Sequence, residues 1–275
     1  MPELPEVEAV CERLRQTAIG AEIVSAHFTR ATVTRPQRPA SVATKVAGRR
    51  IEGVYRRAKN VLLRLSGGLV VRVHLRMTGA LYLIPDVRFR PNTARAWFEL
   101  EGGRGLIFDD SRLLGKIHVH SAREIDGAMG VLGPEPLDAG FTVDAFLAIA
   151  AKSKQPAKLF LMDQRRVAGL GNIYAAEALF RAKVDPRKPI STISKPRQRA
   201  LHGAIVGVLR EALQSVMEAY VKPFSGAAAN LALEGGGFPA AVYGREGEPC
   251  FVCRRPIRRI PQGGRSTYFC VACQK

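Results

Sequence analysis

Two hydrophobic periodicities divide the chain into regions of different structure. Near the start, Val7, Val10, Cys11 and Leu14 recur at the spacing of one helix face. Pro5 lies in the first turn of such a helix, where a missing backbone N–H costs nothing. The pattern therefore predicts a helix that begins almost at the first residue, with Cys11 packed as a small core residue.

The next part of the chain alternates between hydrophobic and polar positions in short segments. The clearest segment, residues 71–77, alternates hydrophobic side chains with basic ones, among them Arg72 and His74. A period of two indicates a half-buried strand, here with a basic face. The glycine pairs at 67–68 and 102–103 are typical of hairpin turns. This region is predicted to be mainly antiparallel β-structure.

The pattern changes again after Gly133-Pro134-Glu135-Pro136, which is typical of a linker. Helical spacing then dominates up to about residue 221. Residues 224–238 are small and glycine-rich, which predicts a loop before a final module that begins at residue 242. The longest helix has an apolar face that is more typical of a core than of a binding surface; it consists of Leu201, Ile205, Val208, Ala212, Val216 and Tyr220.

Composition narrows the class of protein. With 47% hydrophobic and 24% charged residues, the 275-residue chain is typical of a soluble globular protein with more than one domain. No apolar run approaches the roughly 18 residues that a membrane span needs. The first residues are rich in charge and lack the apolar core of a secretory signal. We therefore expect a protein that acts inside the cell.

The charge balance points to a polyanionic partner. The chain has 42 Lys and Arg against 24 Asp and Glu, a formal net charge of +18. Basic residues cluster in two stretches, 45–76 and 245–275. Such clusters bind nucleic acid by releasing counterions from phosphates. A basic soluble protein without a nucleic-acid partner is the alternative, which the clustering disfavours.

Four of the five cysteines form two Cys-x-x-Cys pairs. These are Cys250 with Cys253 and Cys270 with Cys273, with sixteen residues between the pairs. The spacing is typical of a zinc ribbon, in which four thiolates complete the tetrahedral shell of one structural Zn²⁺. Two disulfides are the alternative, but a reducing intracellular setting favours metal.

The first residues combine an N-terminal proline with carboxylates. If Met1 is removed, Pro2 becomes a free secondary amine, followed by Glu3, Glu6 and Glu8. An amine beside carboxylates suits nucleophilic and acid–base chemistry. Spacing alone favours a structural alternative, because acidic residues in a first helical turn complement the helix dipole. Glu8 is expected to be structural.

A second candidate site lies in the helical region, at residues 163–175. Gly169 and Gly171 free the backbone just before Asn172, which we expect to cap the next helix. Backbone amides at a helix N-terminus bind phosphate well, and the arginines at 165–166 favour an anion further. A tight turn without a ligand is the alternative.

Five segments together resemble a known family. They are PELPEVE, Met77-Thr78-Gly79, DDSRLLGK, DQRRVAGLGNIYAAEALF, and VYGREGEPC with the two Cys-x-x-Cys pairs. In their order and spacing they resemble the formamidopyrimidine-DNA glycosylase and endonuclease VIII family, and are closer to its formamidopyrimidine branch. The resemblance implies an α+β, multi-domain protein. Residues 1–132 would form a catalytic antiparallel β-sandwich with flanking helices, 133–241 a helix-two-turns-helix domain with a lesion-capping loop, and 242–275 a zinc-finger β-hairpin.

The resemblance also implies a reaction, the excision of oxidised purines (formamidopyrimidines and 8-oxoguanine) by a bifunctional DNA glycosylase and abasic-site lyase. Pro2 would attack the sugar and form an iminium intermediate, after which β,δ-elimination cleaves the strand. Glu3 would be the general acid at the sugar ring oxygen, and Glu6 would organise the site. Lys59 and Arg265 would complete the catalytic set at phosphates beside the lesion, although Lys59 could also be a solvated strand-end lysine.

The remaining implied residues contact DNA. Lys158, Gly171 and Asn172 would bind phosphates from the helical domain, and His74 either contacts phosphate or makes a structural hydrogen bond. Three side chains would fill the space left by the extruded base, and they match Met77, Arg112 and Leu114. Leu114 departs from the usual aromatic, and residues 227–237 are poorer in polar groups than the family's capping loop, whereas Phe238 keeps its aromatic.

The implied partner is double-stranded damaged DNA, bound by a cytoplasmic monomer with no membrane association. Three alternatives remain open. The chain could bind abasic or distorted DNA without catalysis, or prefer oxidised pyrimidines. It could also be a zinc-ribbon transcription or ribosome-associated factor, which leaves the PELPEVE start unexplained.

Overall fold

A computed structural model describes residues 2–220 and 238–275. The described chain divides into two compact units. One contains residues 2–130 and 213–220, and the other contains residues 131–212 and 238–275. Residue 1, residues 221–237, which include the predicted capping loop before Phe238, and the side chain of Tyr220 lie outside the described part of the chain. The predicted domain limits at 132 and 241 remain predictions.

The first unit is built on an eight-stranded antiparallel sheet with flanking helices. Its elements are α1 (Leu4–Thr17), β1 (Glu22–Phe28), α2 (Pro39–Val46), β2 (Arg49–Arg57), β3 (Asn60–Leu65), β4 (Leu69–His74), β5 (Ala80–Ile84), β6 (Ala94–Leu100), β7 (Gly105–Asp109), β8 (Lys116–Ser121) and α3 (Ile125–Met129). The strand order is β5–β7–β6–β1–β2–β3–β4–β8. Strand β1 pairs with β2 through only two residues but with β6 along most of its length, so the sheet consists of two four-stranded halves that join there. The predicted sandwich with flanking helices is confirmed.

Helix α1 contacts strands from both halves of the sheet. It packs against β2 and β3 on one half and against β5 on the other. The apolar face predicted from the sequence is buried, and Cys11 is fully inside the hydrophobic core. The N-terminus is thereby fixed on a rigid scaffold rather than left as a tail.

The predicted hairpins at residues 67–68 and 102–103 are confirmed. Both glycine pairs have positive φ and connect antiparallel neighbours, β3 with β4 and β6 with β7. The strand predicted for residues 71–77 ends earlier, at His74. Arg76 has a φ of 60°, a left-handed conformation that cannot continue a strand, so the next residues enter a loop instead.

The second unit is mainly helical and carries the C-terminal hairpin. Aromatic contacts among Phe141, Phe146, Phe160 and His202 fill the space between its helices. The elements are α4 (Val143–Ala151), α5 (Ala157–Met162), α6 (Asn172–Arg181), the start of α7 (Lys195–Tyr220), β9 (Arg258–Gln262) and β10 (Arg265–Phe269). The predicted helical region and two-stranded hairpin are confirmed.

The face predicted for the longest helix is buried in α7 from Leu201 to Val216, and Val216 belongs to the core of the first unit. In the part of the chain that the structure describes, no helix is both long and apolar enough to cross a membrane.

Candidate functional site

The N-terminus places Pro2 beside two buried carboxylates. Pro2 is buried, and Glu3 and Glu6 are each 0% exposed. Glu3 is the N-cap of α1 and forms a reciprocal capping box with Glu6. Its backbone N–H donates to Glu6 Oε2 at 2.8 Å. The structural role considered from the sequence is therefore present, and it fixes both side chains at the helix start that Pro2 precedes.

The same two side chains can also act in acid–base chemistry. In the capping box each of them accepts a backbone N–H. A carboxyl group fixed beside an amine can exchange protons with the group that the amine attacks. The structure thus holds Glu3 and Glu6 together at the start of α1, and their chemical roles with Pro2 remain predictions.

Lys59 lies in the tight turn between β2 and β3 and is half-buried. Ala58 adopts a positive φ of 50°, and Arg57 pairs with Asn60 across the turn. The Asn60 amide donates to the Arg57 carbonyl at 3.1 Å and accepts from Arg72 Nε at 2.8 Å. The turn that presents Lys59 is therefore held by side chains of the neighbouring strands.

His74 ends β4 and pairs across the sheet with Asn60 and Lys116. Its Nδ1 accepts a hydrogen bond from Arg76 N–H at 3.1 Å, which is the structural alternative considered from the sequence. Burial, together with the positive charges of Arg76, Arg72 and Lys59, lowers the pKa of His74 to about 3. The ring is neutral at physiological pH and carries its proton on Nε2, where it can donate to a phosphate oxygen. Phosphate binding itself remains a prediction.

Two loops present the side chains expected to fill the space of an extruded base. Met77 is 43% exposed and Leu114 is 39% exposed, although both are hydrophobic, and Arg112 is also exposed. Exposed apolar side chains beside an arginine are suited to enter a base step.

Asp110 ties these two loops together. Its carboxylate is 1% exposed and accepts from Thr78 Oγ1 at 2.5 Å, from Arg112 N–H at 3.2 Å and from Gly115 N–H at 2.8 Å. Sequence reasoning did not single out this residue. The available signal was an aspartate directly ahead of a turn that carries the expected arginine.

Lys158, predicted as a phosphate contact, is fully buried. Its ammonium donates to Ser266 O and Thr267 Oγ1, both at 2.7 Å, and so holds strand β10. Arg265 is exposed at the start of that strand, directly after the Gly263–Gly264 turn. Lys158 therefore holds the strand whose first residue, Arg265, is exposed to solvent. A direct phosphate contact by Lys158 remains a prediction.

The expectation that Asn172 caps α6 is wrong. Gly171 is the N-cap and Asn172 is the first helical residue, because the extended backbone of Gly171 ends the preceding turn. Gln164 fixes that turn by donating to Leu170 O at 2.7 Å and accepting from Gly169 N–H at 2.9 Å. Asn172 Oδ1 is buried and has no hydrogen-bond partner among the described residues. A phosphate contact by Asn172 remains a prediction.

The four paired cysteines converge on one point. All four Sγ atoms lie within 4.8 Å of one another, with 3.9 Å between Cys250 and Cys273 and 3.4 Å between Cys253 and Cys270. A disulfide requires about 2.0 Å, whereas tetrahedral Zn–S bonds of about 2.3 Å require sulfurs about 3.8 Å apart. The thiolates fit one structural zinc ion and leave no open coordination position for chemistry.

Removal of one zinc ligand is expected to release the metal. Cys270→Ala should lose the bound zinc that the parent protein retains, because three thiolates no longer close the shell. The measurement is zinc content after gel filtration in the presence of a mild chelator. Cys11→Ala is the matched control, since Cys11 lies in the core of the first unit. Zinc retention by Cys270→Ala would contradict the assignment.

Glu177 on α6 was also missed by sequence reasoning. It is 3% exposed and accepts the backbone N–H groups of Ala241, Val242 and Tyr243 at 2.8 to 3.0 Å. It anchors the chain where the zinc module begins. A glutamate inside an otherwise apolar helical segment was the signal.

Comparison with known proteins gives concordant matches along the whole chain. The model for the formamidopyrimidine-DNA glycosylase N-terminal domain matches residues 1–117, that for the formamidopyrimidine-DNA glycosylase H2TH domain matches 132–220, and that for the zinc finger found in FPG and IleRS matches 247–275. The formamidopyrimidine-DNA glycosylases of Chloroflexus aurantiacus and Thermus thermophilus are 37% and 41% identical over 100% of this chain and 98% of theirs.

Solved structures agree. The crystal structure of the FPG protein from Thermus thermophilus is 38% identical, with a TM-score of 0.83 over 99% of this chain and 98% of that one. A complex of Lactococcus lactis Fpg with a DNA that contains an abasic site is 28% identical, with a TM-score of 0.87 over 99% of both chains. Another complex of the Lactococcus lactis protein contains a FAPY-dG DNA and is 28% identical, with a TM-score of 0.87 over 99% of this chain and 100% of that one.

Proposed function

This chain belongs to the formamidopyrimidine-DNA glycosylase family, and on that premise we propose that it excises oxidised purines, formamidopyrimidines and 8-oxoguanine, through a Pro2 iminium intermediate. Membership makes it a base-excision DNA glycosylase and abasic-site lyase with a structural zinc ion. The zinc-ribbon transcription or ribosome factor considered from the sequence is excluded. The single observation that supports the proposed chemistry is Pro2 at the start of α1 beside buried Glu3 and Glu6.

The first step forms a bond between the Pro2 nitrogen and the sugar C1′. Once Met1 is removed, the unprotonated amine of Pro2 attacks C1′ with its lone pair, the glycosidic bond breaks, and the base leaves with the electron pair of that bond. The attached nitrogen then loses its proton, which neutralises the departing base. Glu3 donates a proton to the ring oxygen as the bond from C1′ to that oxygen breaks, which leaves an iminium. Glu6 keeps Glu3 oriented through the capping box.

Strand cleavage follows from the iminium. Because a secondary amine has no second proton to lose, the iminium is permanently charged and withdraws electrons from the sugar. Loss of the C2′ proton then expels the 3′ phosphate, and a further elimination expels the 5′ phosphate. Water finally hydrolyses the iminium and restores the amine. Lys59 and Arg265 are proposed to contact the phosphates beside the lesion. Asn60 holds the turn that carries Lys59, and Lys158 holds the strand that begins with Arg265.

Base extrusion is supported by the residues of the two loops that Asp110 connects. Removing a base from the stack costs a few kcal/mol, and filling the vacancy offsets part of that cost. Met77 and Leu114 supply exposed apolar surface, and Arg112 supplies hydrogen-bond donors for the unpaired base. Leu114 is an aliphatic wedge where an aromatic is usual. His74, Gly171 and Asn172 are proposed to bind the backbone of the same DNA.

The proposed substrate is double-stranded damaged DNA, bound by a cytoplasmic monomer. The formal net charge of +18 supports strong binding to a polyanion. The Lactococcus lactis relatives have been solved with abasic-site and FAPY-dG DNA, which supports the choice of lesion class.

The test is a comparison of matched duplexes that carry 8-oxoguanine, a formamidopyrimidine or an oxidised pyrimidine. We expect single-turnover excision of the two purine lesions, followed by strand ends typical of β,δ-elimination. Faster processing of the pyrimidine lesion would favour an oxidised-pyrimidine glycosylase instead. Tight binding of abasic DNA without any excision or strand cleavage would favour the non-catalytic binder.

A further inference from the structure

Glu8, outside the proposed catalytic set, connects helix α1 to two arginines. Its Oε2 accepts from Arg56 Nε at 2.6 Å, and its Oε1 lies 2.9 Å from Arg15 Nη2. The Arg56 side chain is 5% exposed and that of Glu8 is 20% exposed. The Glu8–Arg56 pair is therefore largely shielded from water, where charge-assisted hydrogen bonds are short and strong.

Arg56 extends this connection to the turn that carries Lys59. Its Nη1 donates to the carbonyl of Ala58 at 3.0 Å, and Ala58 directly precedes Lys59. Asn60 holds the carbonyl of Arg57 from the other side of the turn. One carboxylate on α1 is thus linked, through a single guanidinium, to the backbone next to the proposed catalytic lysine.

Helix α1 also carries the other half of the proposed chemistry. An α-helix rises about 1.5 Å per residue and is stiff over one or two turns, so a constraint on Glu8 is also a constraint on Glu3 and Pro2 at the same helix end. Fixing Glu8 relative to Ala58 therefore fixes Lys59 relative to the nucleophile and the general acid.

Stability alone does not account for such a pair. Burying two charges costs desolvation energy, and well-packed apolar side chains of similar volume often stabilise a protein as well or better. An ion pair with a fixed fork geometry does supply directional precision. Reacting groups need that precision, because a misplacement of about 1 Å can cost roughly 100-fold in rate.

We propose that Glu8 is a positioning residue, which acts through Arg56 and the Ala58 carbonyl to set the position of Lys59 relative to Pro2 and Glu3. The inference rests on the proposed role of Lys59 in the reaction and adds the residue that places it.

The chain offers a matched control on the same helix. Glu12 also pairs with Arg15, at 2.8 Å, and that arginine holds the Val54 carbonyl at 3.0 Å. Glu12→Gln removes a carboxylate from α1 and from the same arginine but leaves the Glu8–Arg56 contact in place. A role limited to fastening α1 against β2 would make the two variants behave alike.

The experiment compares Glu8→Gln, Glu12→Gln and Arg56→Lys in single-turnover excision, with binding to an uncleavable abasic-site duplex and Tm measured in parallel. Glu8→Gln is expected to slow excision roughly 10- to 100-fold, with DNA affinity close to that of the parent protein. Arg56→Lys should reproduce the loss, because an ammonium cannot hold Glu8 and Ala58 in one fork. Glu12→Gln should keep the parent rate, and equal losses in Glu8→Gln and Glu12→Gln would overturn the inference.

A double-mutant cycle with Lys59→Ala separates positioning from general destabilisation. If Glu8 acts through Lys59, Glu8→Gln should cost less than about twofold in a Lys59→Ala background. Losses that multiply would overturn the inference while leaving the role of Lys59 intact. If Lys59→Ala alone kept the parent rate, the proposed role of Lys59 would fail first, and the inference would fail with it.

Discussion

Replacing Glu3 with glutamine is expected to slow single-turnover excision of an oxidised purine by roughly 10²- to 10⁴-fold, the usual contribution of a general acid. Glutamine fills the same space, and its amide oxygen can still accept the backbone N–H in the capping box, so α1 should start unchanged. It cannot donate an acidic proton to the sugar ring oxygen. The measurement is rapid-quench excision from a lesion duplex under enzyme excess.

Two controls accompany that experiment. Glu12→Gln, a change at a partly exposed position on the same helix, should leave the rate near that of the parent protein. Affinity of Glu3→Gln for a duplex with an uncleavable abasic-site analogue should stay within about threefold, since phosphate contacts supply most of the binding energy. A Glu3→Gln protein as active as its parent would remove Glu3 from the role of acid.

Blocking the amine of Pro2 is expected to have a still larger effect. One extra residue ahead of Pro2 turns its nitrogen into an amide, whose lone pair is delocalised and cannot attack carbon. Strand cleavage at an abasic site should then fall to the uncatalysed background. The measurement is gel separation of the cleaved strands, beside a preparation in which Met1 is shown by mass spectrometry to be absent.

Pro2→Gly is the graded companion to that variant. It keeps a terminal amine, but its adduct is a protonated Schiff base that can lose its proton and therefore withdraws electrons less persistently. Slower excision and an altered ratio of β- to δ-elimination products are expected. Undiminished cleavage by the extended chain would show that another group forms the adduct.

Features that depend on local pattern were predictable from the sequence. The apolar spacing of α1 and the glycine hairpins involve residues that are close together in the chain. The cysteine spacing reflects the ligand shell of a single metal ion. Two errors were also local. The strand after residue 71 was predicted too long because the positive φ of Arg76 has no hydrophobic signature. The cap of α6 was placed one residue late, at Asn172 instead of Gly171.

Contacts between distant segments escaped prediction. Lys158 was expected to contact phosphate, yet its ammonium donates to Ser266 and Thr267, more than a hundred positions away. Asp110 and Glu177 accept hydrogen bonds from backbone N–H groups. Such donors are present in every sequence, so no sequence motif identifies the carboxylate that binds them. A buried ionisable group is recognised only once the fold shows what satisfies it.

The proposed mechanism depends most on the bond between Pro2 and the sugar. The direct measurement is borohydride reduction of enzyme mixed with abasic or 8-oxoguanine duplex, followed by proteolysis and mass spectrometry of the conjugate. The expected product is a reduced sugar attached to the nitrogen of Pro2 in chains that lack Met1. Absence of any conjugate from such chains, or its recovery on Lys59 instead, would contradict the mechanism.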